Sequence, residues 1–380
     1  MSATGLHLDG LEVHRGAFQL GPLDIQVPAG CCLAVQGANG AGKTTLLEAV
    51  AGFTSVDAGR IVLHGRDITA HTPERRRIAY VPQDLALFPH LNVEANLAFG
   101  LRGTSRDKRT RLQQLLTDFR LDGMGRRYPR ELSRGQRQRL ALGRALAMEP
   151  ALVLLDEPSA NLDATSRQAL HTGVRHLLDD HGLAVVYVTH DRSEAAILAD
   201  HVAVLANGSL LQAGPYGEVL ARPTDTRVAA HLGIDNLWPA RVLGSPADGL
   251  RLEVAGRVLE STATAVPAGP LQAGLCAGEI ELARSRPESV HNCLEVTVTG
   301  LQSAGSLLML QLDGPPRLQA WAPAWWARDL AVGSHLWARL PADALRLVPQ
   351  PPSGGDSEPA GSMTPKGSDS FENGDDRPVP

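Results

Sequence analysis

Gly37-Ala38-Asn39-Gly40-Ala41-Gly42-Lys43-Thr44-Thr45 follows the apolar run Cys31-Cys32-Leu33-Ala34-Val35 and opens into Leu46-Leu47-Glu48-Ala49-Val50. The spacing is G-x-x-x-x-G-K-[ST], and strand, glycine loop, helix is the order in which such a loop binds phosphate. The glycines let the backbone curl so that successive N–H groups point at phosphate oxygens, and the following helix adds its positive end. Lys43 can reach the β- and γ-phosphates, and the Thr44 hydroxyl can ligate Mg²⁺. The residues expected around a nucleotide are therefore Gly37, Asn39, Gly40, Ala41, Gly42, Lys43, Thr44 and Thr45. The chain has only three lysines, Lys43, Lys108 and Lys366, and otherwise uses arginine. One of the three stands where a compact ammonium suits better than a guanidinium fork.

Further along, Ala151-Leu152-Val153-Leu154-Leu155 reads as a buried strand ending in Asp156-Glu157. Two adjacent acids at a strand end beside a phosphate loop allow two roles. Asp156 would hold the metal, and Glu157 would orient and deprotonate a water; away from such a loop the pair would read as a solvated turn. Tyr187-Val188-Thr189-His190-Asp191 ends another apolar strand, and His190 there could contact the γ-phosphate and steady the water. Gln83, in Tyr80-Val81-Pro82-Gln83-Asp84, could touch Mg²⁺ and water while linking the core to a helical insertion.

The 380 residues suffice for two domains and a tail. No apolar run reaches the roughly 18 residues a membrane span needs. The N-terminus lacks the basic and apolar regions of a signal peptide, so a cytosolic protein is expected. Four cysteines, two of them adjacent, suggest neither a disulfide framework nor a metal site, and Cys31-Cys32 read as small strand residues. A net charge of −5 argues against a nucleic-acid partner. Residues 1–235 alternate strands (31–36, 78–81, 151–155, 183–189, 202–206) with helical patterns, as an α/β domain does. The helical insertion is expected at about 84–145, where Leu112, Leu115, Leu116 and Phe119 fall at helical spacing. From 236 to 349 the texture becomes β-rich. Asn236, Val242 and Gly244 share spacing with Asn292, Val298 and Gly300, either two similar β-units or a coincidence of common strand residues. Residues 350–380 are acidic and rich in Gly, Pro and Ser, a composition that cannot bury a core.

With Leu132-Ser133-Arg134-Gly135-Gln136 and Asn161-Leu162-Asp163, the motifs fall in the order found in the nucleotide-binding subunits of ABC (ATP-binding cassette) transporters, and residues 1–235 resemble that family. The resemblance implies an ATPase with ATP and Mg²⁺ as cofactors, acting as a dimer with a second copy of itself. It implies that Ser133, Gly135 and Gln136 cap the γ-phosphate bound by the partner's loop, and that Asp163 belongs to the same composite site. Arg134 stands where the family usually has Gly, and either points away or adds a cation. The family often stacks adenine on an aromatic before the loop; Phe18 is the only one before Phe53, and its alternative is a core strand residue. One ATPase domain without a membrane span resembles an importer subunit at the cytoplasmic face of the membrane. Its implied partners are integral-membrane permease subunits and, indirectly, a periplasmic or surface solute-binding protein.

The segment 87–97 resembles the surface that receives a permease helix. Residues 236–349 resemble a small β-barrel-like (OB-like) accessory domain, closest to that of molybdate and tungstate importers. Ser289-Val290-His291-Asn292 is similar to a Ser-x-Arg-Asn molybdate motif, with His291 for Arg, and Pro341 stands where such domains often carry Lys. The resemblance thus implies molybdate, tungstate or a related oxyanion as solute, with weak or no binding in the accessory domain itself. Iron(III), sulfate or polyamine import, and a soluble regulatory ATPase, are the alternatives. The translation ATPases of the family would need a second phosphate loop, and the DNA-repair ones a long coiled coil, whereas 48 residues separate Gln83 from Leu132.

Overall fold

A computed structural model describes residues 4–160, 162–179, 182–246, 249–287 and 291–351. Asn161, Ser289 and the acidic stretch from 352 onward lie outside them. The described chain up to Gln350 forms one compact unit.

Six strands build the sheet that carries the phosphate loop, in the spatial order Ser209–Pro215, His201–Ala206, Cys32–Gly37, Ala184–Val188, Leu152–Asp156, Ile78–Val81. All pairings are parallel except the edge hairpin of the first two. Cys32–Gly37, Leu152–Asp156 and Ala184–Val188 are buried along their whole length. Parallel strands covered on both faces have this continuous apolar character. Their C-terminal ends line up, and the loop after Gly37, Asp156 and the Thr189–His190 turn leave the sheet side by side, where ligands meet open α/β sheets.

One face of the sheet packs on the helix Lys43–Ala51 and on a four-stranded antiparallel sheet, ordered Phe18–Pro28, Thr4–Arg15, Ala58–Leu63, Arg66–Asp67. The sequence reading did not contain this second sheet. Its first strand pairs with shifts between Leu8 and Leu11 and between Leu11 and Val13, which break the alternation that would have advertised it. The other face packs on Val93–Ala98, Ser105–Asp118, Arg134–Ala147 and Ala164–Asp179, through Leu97, Leu115, Phe119, Leu140, Leu142, Leu170 and Val174. The helical stretch shares this core with the sheet. Helix Ser105–Asp118 starts on a reciprocal capping box between Thr104 and Asp107.

Residues 236–349 form two five-stranded antiparallel sheets around one apolar core. The repeat seen in the sequence is also a repeat in space. Asn236–Gly244 pairs with Leu250–Val254 with a shift between Val242 and Gly244, and Cys293–Ala304 pairs with Leu307–Asp313 with a shift between Val298 and Gly300. The buried Asn236 amide donates to Gln319 O (2.9 Å) and accepts from Gln319 N (2.7 Å) in the other sheet. Asn292, buried likewise, donates to Glu260 O and accepts from Glu260 N, both at 2.7 Å. The two halves also trade strands. Glu281–Ala283 follows the strand Leu271–Leu275 yet pairs with His335–Arg339, while Arg346–Pro349 follows His335–Arg339 yet pairs with Leu271–Leu275.

Candidate nucleotide site

At two positions the loop tolerates no side chain. A Cβ on Gly37 would lie 2.4 Å from the Leu205 carbonyl oxygen. A Cβ on Gly42, whose φ is +104°, would lie 2.7 Å from Leu20 Cδ1 and 3.0 Å from Phe18 Cζ. Gly42 caps the helix Lys43–Ala51, so its N-terminus points into the loop. Lys43 Nζ donates to the carbonyls of Gly37 (2.8 Å) and Ala38 (3.0 Å). Burial lowers its pKa, against the opposing pull of Glu157 and Asp156. An ammonium held only by carbonyls and short of full solvation is well placed to exchange them for phosphate oxygens.

Thr44 Oγ1 donates to Asp156 Oδ2 at 3.0 Å, and Tyr80 OH reaches the same oxygen at 3.3 Å. Burial raises the Asp156 pKa, while the hydrogen bonds from Thr44 and Tyr80 hold it down. Two oxygens of this kind are spaced like neighbouring ligands on an octahedron with ~2.0–2.1 Å bonds, whose edge is about 2.9 Å. The pair could therefore hold Mg²⁺, with phosphate and water supplying the remaining oxygens. No cluster of three or more His, Cys, Asp or Glu fit to cage a metal occurs among the described residues.

Glu157 takes a left-handed backbone, φ +44°, which is uncommon for a non-glycine residue. Its N–H donates to Val188 O at 3.1 Å, fastening it to the neighbouring strand. Its carboxylate meets Gln83 Nε2 at 3.4 Å and His190 Nδ1 at 3.6 Å. Gln83, Glu157 and His190 are thus together at the strand ends, and Gln36, Gly37, Ala38, Asn39, Glu157 and His190 share a groove of about 430 Å³. Arg192 and His231 also line it and were not expected from the sequence. Arg192 is anchored at 2.9 Å by Asp235, where the chain leaves for the β-rich part.

Ser133, Gly135 and Gln136 stand apart from that groove. Ser133 caps the helix Arg134–Ala147, accepting from Gln136 N at 3.2 Å while Gln136 Oε1 accepts from Ser133 N at 2.8 Å. Gly135 packs so closely on Ser166 that a Cβ would fall 2.4 Å from its Oγ. Ser166 in turn donates its N–H (2.9 Å) and hydroxyl (2.8 Å) to Asp163, and these bonds lower the Asp163 pKa. Ser133, Arg134 and Asp163 are exposed here, with Gly135 buried against Ser166 between them and Gln136 half-buried. Phe18 is half-buried, with its ring edge against Gly42, so it touches both the core and the loop.

Residues 20–160 match the ABC transporter family profile. The Fe(3+) ions import ATP-binding protein FbpC of Yersinia pestis is 43% identical over 238 residues, 61% of this chain and 68% of that protein. The sulfate/thiosulfate import ATP-binding protein CysA of Caulobacter vibrioides is 38% identical over 296 residues, 76% of this chain and 87% of that protein. The molybdate/tungstate import ATP-binding protein WtpC of Thermococcus kodakarensis is 40% identical over 258 residues, 67% of this chain and 77% of that protein. Among the described residues no helix is long and apolar enough to cross a membrane. A nucleotide loop of this geometry, in a chain related to importer subunits over most of its length, identifies an ATP-hydrolysing enzyme, and the chain belongs to the ATP-binding subunits of ABC transporters of the import type.

Proposed function

We propose that residues 1–235 are the motor of an importer and residues 236–349 its accessory domain, working as a dimer at the cytoplasmic face of the membrane. MgATP is held by Gly37–Thr45, Asp156 and Gln83; when bound, Mg²⁺ neutralises phosphate charge. Glu157 takes a proton from water that His190 and Gln83 help to orient. Phe18 stacks on adenine, and Ser133, Gly135, Gln136 and Asp163 close over the nucleotide of the second copy. Permease subunits supply the path for the solute.

The observation that carries the transport reading is an apolar groove of about 300 Å³ on the motor. It is lined by Phe53, Tyr80, Phe88, Phe99, Arg144 and Met148, among others. Phe53, Phe99 and Met148 are at least half exposed there, a patch rimmed by polar residues that suits the apolar face of a helix. It adjoins the segment 87–97. It also adjoins the site, because the Tyr80 ring faces Phe53 (5.8 Å between centroids) while its hydroxyl touches Asp156. Phe99→Asp should leave the basal ATPase rate unchanged and abolish both co-purification with the permease subunits and their stimulation of hydrolysis. Retained stimulation would move the docking surface elsewhere.

For the solute we favour an oxyanion, molybdate, tungstate or sulfate, the solutes in the names of two of the relatives. Iron(III) is the second reading, favoured by the first relative named. The accessory domain itself gives little support to an oxyanion sensor. His291 lies 2.9 Å from the Glu260 carboxylate, which would repel a dianion brought to that histidine. Calorimetry of the whole protein with molybdate, tungstate and sulfate should show no tight binding.

A further inference from the structure

Glu194 lies in the helix Arg192–Leu198, three residues beyond its Asp191 cap, and is fully buried. A surface helix acid at that position normally reaches into water. Here Glu194 Oε2 accepts three hydroxyl hydrogen bonds, from Ser159 Oγ (2.7 Å), Thr189 Oγ1 (2.7 Å) and Tyr187 OH (3.2 Å). Its other oxygen faces Arg167 Nε at 3.5 Å and His171 Nε2 at 3.6 Å, and has no hydrogen-bond partner. Burying a carboxylate is costly unless hydrogen bonds and opposite charge compensate it, so such a group persists where the arrangement around it matters.

The groups around the carboxylate, hydroxyl donors and cationic neighbours together, come from three segments that the site needs in register. Ser159 is two residues after Glu157, and Thr189 immediately precedes His190. Arg167 and His171 sit on the helix Ala164–Asp179, whose first turn is fixed to Asp163. No residue of this cluster lines the nucleotide groove.

We propose that Glu194 is a positioning residue for hydrolysis. One buried carboxylate fixes the spacing between Glu157 and His190 through Ser159 and Thr189, and ties that spacing to Asp163 through the helix bearing Arg167 and His171. The Glu157–His190 distance of 3.6 Å is then a property of the cluster beneath them rather than of the two side chains alone. Displacement of reacting groups by about 1 Å can cost roughly 100-fold in rate, so loosening the cluster should act on turnover and not on nucleotide affinity.

The inference rests on the assignment of Glu157 and His190, and the experiment separates the two. In the full-length protein Glu157→Gln must first lose hydrolysis; if it does not, the site assignment fails, whatever Glu194 does. If it does, Glu194→Ala should lower kcat by at least about 10-fold with KM for ATP kept within about threefold. Thr189→Val keeps the side-chain shape while removing one donor to Glu194, along with the acceptor of the Asp191 N–H, so it tests the idea even if Glu194→Ala folds poorly. A fall in kcat of several-fold is expected for it, and none when Thr189→Val is added to Glu194→Ala. In single-turnover assays, adding Glu194→Ala to Glu157→Gln should cost almost nothing further, because both act on one water. Two results would overturn the proposal: Glu194 and Thr189 variants that lower Tm but hydrolyse ATP at the normal kcat, or a Glu194→Ala effect that multiplies fully with Glu157→Gln. Either leaves Glu194 a stabilising group only.

Discussion

The strained backbone at Glu157 is the most telling single residue. A side chain held at φ +44° is retained only where its surroundings over-determine it, and here a hydrogen bond to Val188 and the first turn after the strand do so. Its carboxylate is thereby aimed between Gln83 and His190. Glu157→Gln keeps the shape and removes the base. Hydrolysis should fall by roughly 10²–10⁴ while MgATP still binds, and an ATP-loaded dimer should accumulate on gel filtration. Normal turnover would remove Glu157 from the chemistry. That the loop, acid pair and histidine would meet at one end of the sheet was legible in the sequence, because each follows an apolar strand. The supporting layer was not. Glu194, Tyr80 and Arg192 look like ordinary helix or strand positions, and only folding brings Ser159, Thr189 and Tyr187 around the first, Asp156 against the second and Asp235 against the third.

Among the elements, the helix Arg134–Ala147 does two jobs with one end. Ser133 and Gln136 close its capping box, and the same end faces the surface shared with Asp163. Ser133→Asp separates the jobs. Aspartate is as good an N-cap as serine, so Tm should be unchanged, whereas its charge would oppose a γ-phosphate brought by a second copy. Hydrolysis should be lost and nucleotide binding by the single protomer kept; equal loss of both would argue against a site shared between copies. The parallel strands were readable to within a residue at most ends because burial on both faces leaves an unbroken apolar run, as in Leu152–Leu155. Thr4–Arg15 and Phe18–Pro28 were missed because their bulges hide the two-residue period. Which strand pairs with which in the β-rich part is a matter of distant partners, and no local pattern encodes it.

At the scale of the whole chain, the β-rich part is two interlaced copies of one unit, pinned by Asn236 and Asn292. Each amide stands in for a strand neighbour, and Asn→Ala at either position would leave a part-buried backbone N–H and C=O without that partner. A loss of about 1–3 kcal/mol is expected for each variant in chemical denaturation, with similar values for the two because the bridges correspond. A cost confined to Asn236→Ala would mean that the symmetry is only of shape. The exchange of Glu281–Ala283 and Arg346–Pro349 has a consequence in time. The sheet that begins at Asn236 receives its last strand only when Arg346 has been made, 110 residues later. Leu275 is made 71 residues before Arg346, so at ~5–20 residues per second Leu271–Leu275 is an open edge on the nascent chain for roughly 4–14 s. Synthesis pauses within this interval would lengthen the exposure, and the edge is where a chaperone, or a neighbouring nascent chain, would find the protein first.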